Sequence, residues 1–226
     1  IASARARSAS ARASSRAGSV SLVGTFDIGS DVRVAANRTQ IAIVSAGKYF
    51  LCDGLSVTQY TAGAITTAVD VVFIDGYFVV VGTVAGLDDG LQTSALDDGT
   101  TFDELEFAFA ENSPDDLRAV LSDHGELWLF GPRTIEIWWN TGGADFPFSR
   151  NTGAVIEKGC LAGKTVAKED NMVYWVGADR IVYRSAGGSP EVISTREVEE
   201  QLDDAEIELA FTFKDRGHKF YAIRLS

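Results

Sequence analysis

Short apolar runs that alternate with turn residues make up most of the chain after its first 19 residues. In four places a turn-forming Gly or Asn is closely followed by an aromatic, strand-like run, at 76–82, 125–131, 171–177 and 217–223, and a shorter version occupies 47–54. The four leading turn residues are separated by 49, 46 and 46 residues. A repeat of this length with several strands per unit is typical of β-propeller blades.

The segments between these turns predict antiparallel meanders. Asp75-Gly76 lies between two β-branched runs, which is the strongest short signal for a β-hairpin. The apolar runs are continuous, as expected for central strands covered on both faces. We therefore expect an all-β fold, a β-propeller of three- to four-stranded antiparallel blades over residues 20–226. Because the chain begins at Ile1 and ends in a strand-like run, we expect this propeller to be incomplete and the chain to be a fragment.

Helix signals are few. Ser113-Pro114 resembles a helix start, and residues 194–202 predict one or two helical turns, with Ser194 or Thr195 as the cap.

Residues 1–19 are almost wholly Ala, Ser and Arg. This low-complexity composition has little apolar mass to offset ordering entropy, so it predicts a flexible arm. The alternative is a basic arm that contacts nucleic acid or an acidic partner.

The formal net charge is −12, and residues 20–226 carry −16 because the arm contributes +4. A body this acidic repels phosphates, which argues against a nucleic-acid clamp. Two clusters of acidic residues suggest an acidic rim. This rim is either a solvated face or a surface that DNA passes without binding. The clusters are Asp115, Asp116, Asp123 and Glu126, and then Glu197, Glu199, Glu200, Asp203, Asp204 and Glu206.

Cys52 and Cys160 are the only cysteines. We expect two buried thiols, and a disulfide stays open as the alternative. No apolar run is long enough to predict a membrane span.

One turn is close to the Asp-box of sialidase-like propellers, Ser-x-Asp-x-Gly-x-Thr-Trp. In this chain the matching residues are Asp97, Gly99, Thr101 and Phe102, with Ala95 in place of the serine. We interpret the box as a structural turn, in which the aspartate binds backbone groups and the aromatic ring packs into the blade.

Nothing in the pattern predicts a catalytic, cofactor or metal site. A sialidase needs arginines grouped around a carboxylate, whereas seven of the arginines beyond the arm are scattered and share no local motif: Arg33, Arg38, Arg118, Arg133, Arg150, Arg180 and Arg184. His124 and His218 lie at hairpin turns, and a metal site would want more His, Cys or clustered carboxylates.

All four tryptophans lie in the units that begin at 125 and 171. Trp138 and Trp139 are adjacent on a predicted strand, so their side chains point to opposite faces. We predict that this pair marks an interface, with one ring in the core and the other against a neighbouring blade or subunit.

Six segments, taken in order and spacing, resemble the packaged-DNA stabilisation proteins of short-tailed phages. They are SALDD (94–98), FDELEFA (102–108), AENSPD (110–115), LFGPRTIE (129–136), FPF (146–148) and EKGC (157–160). The resemblance covers residues 20–226 and is strongest over 94–190.

The resemblance implies a β-propeller in the virion tail, assembled in the host cytoplasm as a hexameric ring below the portal and its adaptor. Such a ring completes the head, retains the packaged DNA without binding it specifically, and attaches the tail needle and tailspikes. It implies no enzyme activity and no cofactor. The alternatives are a sialidase-like or carbohydrate-binding propeller and a cellular propeller scaffold.

Overall fold

The computed structural model describes residues 8–14, 20–27, 31–110 and 115–226. The chain divides into two compact units, Ile1–Phe109 and Ala110–Ser226. Each unit contains two four-stranded antiparallel sheets and one two-stranded hairpin.

In the first unit, the hairpin is β1-β2 and the sheets have the orders β3-β4-β5-β6 and β7-β8-β9-β10. The strands are β1 (Ser8–Ser14), β2 (Val20–Asp27), β3 (Val32–Ala36), β4 (Ile41–Ser45), β5 (Lys48–Cys52), β6 (Val57–Tyr60), β7 (Ile65–Ile74), β8 (Tyr77–Val84), β9 (Leu87–Ala95) and β10 (Asp98–Phe109).

In the second unit, the sheets are β11-β12-β13-β14 and β15-β16-β17-β18, and the hairpin is β19-β20. The elements are β11 (Ala119–Asp123), β12 (Glu126–Phe130), β13 (Ile135–Asn140), β14 (Phe148–Ile156), a 3-10 turn (Gly163–Thr165), β15 (Ala167–Glu169), β16 (Met172–Val176), β17 (Val182–Ser185), β18 (Pro190–Val192), α1 (Arg196–Asp203), β19 (Ile207–Asp215) and β20 (His218–Leu225).

The four sheets are the blades of an all-β propeller, and each blade is a meander of four strands. The predicted fold class is therefore confirmed. The hairpin turns account for the repeated turn residues in the sequence. Asp75 and Gly76, for example, join β7 to β8, and both have positive φ, 51° and 88°. Two residues of positive φ match the twist of the strands that they connect.

The shorter repeat at 47–54 falls one strand later in its blade than the others. Ala46-Gly47 joins the second and third strands, β4 and β5, whereas Asp75-Gly76 joins the first and second. The first turn of this blade has no glycine. Instead, the Asn37 side-chain oxygen accepts hydrogen bonds from the backbone N–H groups of Thr39 (2.9 Å) and Gln40 (2.7 Å).

Of residues 1–19, the structure describes Ser8–Ser14, which pairs along its length with β2. Pairing satisfies backbone groups whatever the side chains are, so a composition without apolar mass still forms a strand beside a suitable partner. Residues 1–7 and 15–19 lie outside the described residues, as does most of the helix start predicted at Ser113-Pro114. The predicted helix near 194–202 is α1, which follows Thr195 as its N-terminal flanking residue.

The cores are built from the second and third strands of the blades. Phe78, Val79, Val80 and Val81 of β8 are all fully buried, as is Leu127 of β12. Burial on both faces is why these strands lack a polar alternation.

Candidate functional site

The Asp-box-like turn joins β9 to β10. Asp97 adopts a positive φ of 56°, and its N–H donates to the carbonyl of Gly76 (2.7 Å). The carboxylate that organises the turn belongs to the next residue, Asp98, which accepts from the N–H of Thr100 (3.0 Å) and the hydroxyl of Thr101 (3.2 Å). These hydrogen bonds lower the pKa of Asp98, that of the Thr100 backbone contributing most.

The same turn binds the neighbouring blade of the first unit. The Gln40 side-chain oxygen accepts from the N–H of Gly99 (2.8 Å), and the Tyr49 hydroxyl donates to the Gly99 carbonyl (3.0 Å). The Phe102 ring packs edge-on against Tyr49, with centroids 5.5 Å apart. Burial raises the pKa of Tyr49, so this hydroxyl keeps its proton and stays a donor. The turn therefore holds two blades together.

Replacing Gly99 with Ala is expected to destabilise the first unit. A Cβ atom at this position would lie 2.7 Å from the Tyr49 hydroxyl and 2.8 Å from a methyl carbon of Leu51. Overpacking of this kind costs about 1–3 kcal/mol. Chemical denaturation measures the loss, and Glu104→Ala, at an exposed position further along β10, is the control. Equal stability of wild type and Gly99→Ala would show that the blades are not packed this closely.

The two adjacent tryptophans face in opposite directions, as predicted. Trp138 is buried, and its indole N–H donates to the buried carboxylate of Glu136 (2.9 Å). Trp139 is 49% exposed on the other face of β13. Of the two residues, only Trp139 stays a candidate for an interface, because the Trp138 side chain is buried and hydrogen-bonded within its own blade.

Two members of the expected acidic rim are buried structural groups. The Asp115 carboxylate accepts from the backbone N–H groups of Arg133 and Thr134, both at 3.0 Å, and from the Arg133 side-chain Nε at 2.6 Å. Asp123 is also buried, with its carboxylate 2.8 Å from Lys168 Nζ and 3.0 Å from His124 Nδ1. Solvated or DNA-facing roles are therefore wrong for these two residues. Asp116 and Glu126 are not buried.

Hydrogen bonds to the Asp123 carboxylate outweigh the effect of its burial on its pKa. Burial alone would raise the pKa of this carboxyl, but hydrogen bonds from Lys168 and His124 keep it below its usual value. Lys168 lies on β15 and Asp123 on β11, so the ion pair joins the first strands of two blades in the second unit.

The β19-β20 hairpin is joined to the preceding blade by a similar cluster. Lys214 Nζ lies 2.8 Å from Glu169 and 2.6 Å from Asp170, and Lys219 also contacts Asp170. Hydrogen bonds from Lys214, and then from Lys219, lower the pKa of Asp170 to about 2.

This cluster predicts a pH dependence of stability. Because the pKa of Asp170 falls from 3.8 to about 2 on folding, its contribution is present above pH 3.8 and is lost as pH falls through 2. Asp170→Asn is therefore expected to be less stable than wild type at neutral pH, with a difference that shrinks in acid. Melting temperatures of the two proteins at a series of pH values measure this. A difference that does not change with pH would contradict the ion-pair account.

Six arginines beyond the arm have different partners. Arg33 lies near Asp70, Arg133 binds Asp115, Arg150 lies near Glu136, and Arg184 binds Glu191. Arg118 donates to the carbonyls of Cys160 and Leu161, and Arg180 to those of Leu202 and Ala205. Within the part of the chain that the structure describes, they do not form the shared carboxylate-binding group that a sialidase needs.

The remaining candidates occupy structural positions. Cys52 and Cys160 are both buried, and neither forms a disulfide bond, as expected. Among residues 8–14, 20–27, 31–110 and 115–226, no cluster of three or more His, Cys, Asp or Glu has the geometry to hold a metal ion, and no helix there is long and apolar enough to cross a membrane. A surface groove of about 290 Å³ beside Arg133 and Gly159 is bordered by an ion pair between Lys158 and Asp179 (3.1 Å).

Solved structures with a similar fold share little sequence with this chain. The Cps50 (Swd1) β-propeller domain of Myceliophteria thermophila aligns with a TM-score of 0.56 and 11% identity, over 89% of this chain and 76% of that one. The extracellular domain of BT4673 from B. thetaiotaomicron gives 0.55 and 12%, over 85% of this chain and 26% of that one. Hsv2 of Kluyvelomyces marxianus gives 0.51 and 8%, over 86% and 54%. At these identities the likeness concerns the fold alone.

No curated protein sequence matches the chain. The family model described as "Bacteriophage P22 Gp10, beta-propeller" matches residues 10–226, which is nearly the whole chain and includes the four blades, the β19-β20 hairpin and all but the first two residues of the β1-β2 hairpin. The match is in accord with the fold and with the resemblance in the segments between 94 and 160. The chain is therefore a member of the bacteriophage P22 Gp10 β-propeller family, a family of phage structural proteins.

Proposed function

We propose that this chain is a subunit of a phage tail hub that extends and plugs the portal channel. In this role it completes the head after packaging, helps to retain the DNA, and attaches the tail needle and tailspikes. The observation that carries the proposal is the family match over residues 10–226. Its expected partners are the portal with its adaptor, the needle, the spikes and further copies of itself in a hexameric ring.

The chemistry of the surface supports a passive role toward DNA. The net charge of −12 repels the phosphate backbone, so packaged DNA passes without specific binding. Rigid blades present the contacts, and the half-exposed Trp139 on β13 is the proposed contact with a neighbouring subunit or tail component. No catalytic step is part of this function.

Deleting the gene from the phage that encodes this chain tests the proposal. We expect heads that package DNA and then lose it, and that carry neither needle nor spikes in negative-stain electron microscopy. The full-length protein supplied from a plasmid should restore tails and infectivity, whereas Trp139→Asp should restore fewer tails. Deletion particles with stable DNA and complete tails would refute the tail-hub role.

A further inference from the structure

Trp139 differs from the other three tryptophans in its surroundings. The rings of Trp128, Trp138 and Trp175 are buried, and each lies within 6.4 Å of another aromatic ring. Trp139 is 49% exposed, and among the residues that the structure describes its ring contacts neither another aromatic ring nor a cation. An indole ring that is open to water on a rigid strand is a favourable contact for a partner.

The strand register places an acid beside this ring. Glu126 of β12 and Ser149 of β14 are the direct cross-strand partners of Trp139. Directly opposite residues project from the same face of a sheet, with Cβ atoms about 4.5–5.5 Å apart. The Glu126 side chain therefore lies next to the indole ring on one side, and the exposed Ser149 lies next to it on the other.

The charge of Glu126 has no counterpart within the described part of the chain. Glu126 is partly exposed, and none of the described Lys, Arg or His side chains lies within ion-pair distance of it. The cations nearest in the fold, Lys168 and His124, are both bound to the buried Asp123, which is the cross-strand neighbour of Glu126 on β11. Glu126 and Trp139 therefore combine an unpaired negative charge with an open aromatic face.

This pair lies at the edge of the contact between two blades of the second unit. The ion pair from Asp123 to Lys168 of β15 shows that this face of the sheet is directed toward the next blade. The turn between β17 and β18 approaches the same face, since a Cβ atom at Gly188 would lie 3.8 Å from a methyl carbon of Ile137, two residues before Trp139. Both blades hold the site in place, so little ordering is needed when a partner binds.

We propose that Glu126 and Trp139 bind a cationic side chain, an arginine or a lysine, of a partner protein other than a second copy of this chain. A cation over the face of an indole ring is attracted by the ring, and the adjacent carboxylate adds an ion pair. Residues 20–226 carry −16, which favours a basic partner over a second copy and over the phosphates of DNA. The inference rests on the proposed function and gives the chemistry of the tail component that contacts Trp139.

Photocrosslinking from position 149 tests this contact. Ser149→p-benzoylphenylalanine is introduced into the full-length protein, which is supplied from a plasmid to cells infected with the deletion phage and then irradiated. We expect an adduct with a different phage protein, and mass spectrometry should find an arginine or lysine next to the crosslinked residue. Trp139→Leu and Glu126→Gln should each lower the adduct yield roughly 2- to 5-fold, as expected for a cation at a partly exposed site.

Two further variants complete the comparison. Asp116→Asn is the matched control for charge, because it removes an exposed acid that lies outside this row of residues; it should leave the adduct yield unchanged. Trp139→Tyr should keep more of the yield than Trp139→Leu, because an aromatic ring remains for the cation. Neither Glu126 nor Trp139 is buried, so thermal unfolding of their variants should match that of wild type.

The outcomes separate this contact from the tail-hub role. An unchanged or higher yield with Glu126→Gln would mean an apolar contact and would overturn the proposal. An adduct only with a second copy of this chain, or no adduct with another phage protein, would overturn it as well. If the deletion particles lack tails while position 149 gives no such adduct, the tail-hub role stands and only this contact is refuted.

Discussion

Asp115→Ala is expected to lower the free energy of unfolding of the second unit by about 3 kcal/mol. The buried Asp115 carboxylate accepts hydrogen bonds from the backbone N–H groups of Arg133 and Thr134. The substitution removes this carboxylate, so both N–H groups of the turn lose it as their acceptor. A buried polar group that loses its partner costs about 1–3 kcal/mol. The charge of Arg133 adds less, because its side chain is 66% exposed and water replaces the carboxylate.

Urea denaturation followed by tryptophan fluorescence measures this effect selectively, since Trp128, Trp138, Trp139 and Trp175 all lie in the second unit. Asp116→Ala is the matched control, because it removes an exposed carboxylate from the next position. It should change stability by less than about 0.5 kcal/mol. Similar losses in both variants would mean that net charge, not the hydrogen bonds of Asp115, sets the stability.

The features that could be predicted are those encoded within a few neighbouring residues. Asp75-Gly76 specifies its own hairpin because both residues tolerate positive φ, and the same kind of turn recurs at His124-Gly125. The 46-residue interval then leads to blades, because each unit needs neighbours to cover its apolar faces. The propeller followed from local turns and spacing.

The features that could not be predicted depend on residues far apart in sequence. Asp115 looks like a solvated acid until the turn at Arg133-Thr134, 18 residues later, closes over it. Which of Trp138 and Trp139 is buried depends on the side of β13 that contains Glu136. The choice between Asp97 and Asp98 in the Asp-box-like turn depends on a single residue of register, which the motif alone does not resolve.

The exposure of the aromatic residues on β19-β20 could not be predicted from the sequence either. Sequence pattern predicted another aromatic strand at 217–223, but it gives no information about whether a neighbour covers that strand. In the folded chain, Trp128 and Tyr174 are buried, whereas Phe220, at the equivalent position of β20, is exposed.

Trp175→Ala is expected to have the largest effect of any substitution considered for the second unit, a loss of about 3–5 kcal/mol. The Trp175 side chain is fully buried between the two blades of this unit. Its ring stacks on Tyr183 at 5.6 Å and meets the edge of Phe130 at 6.1 Å, and its indole N–H donates to the carbonyl of Lys158 (3.1 Å). Truncation removes all of these contacts and leaves a cavity where the blades meet.

Comparing Trp175→Phe with Trp128→Phe separates the contribution of the indole hydrogen bond to stability from the contribution of packing. Trp128 is equally buried, but its indole N–H has no acceptor among the described residues. Trp175→Phe is therefore expected to cost about 1 kcal/mol more than Trp128→Phe, because only the former loses a hydrogen bond. Denaturation followed by circular dichroism compares the two, since each substitution removes a fluorophore. If Trp128→Phe is the more damaging change, packing around Trp128 and not the bond to Lys158 dominates the contact between these blades.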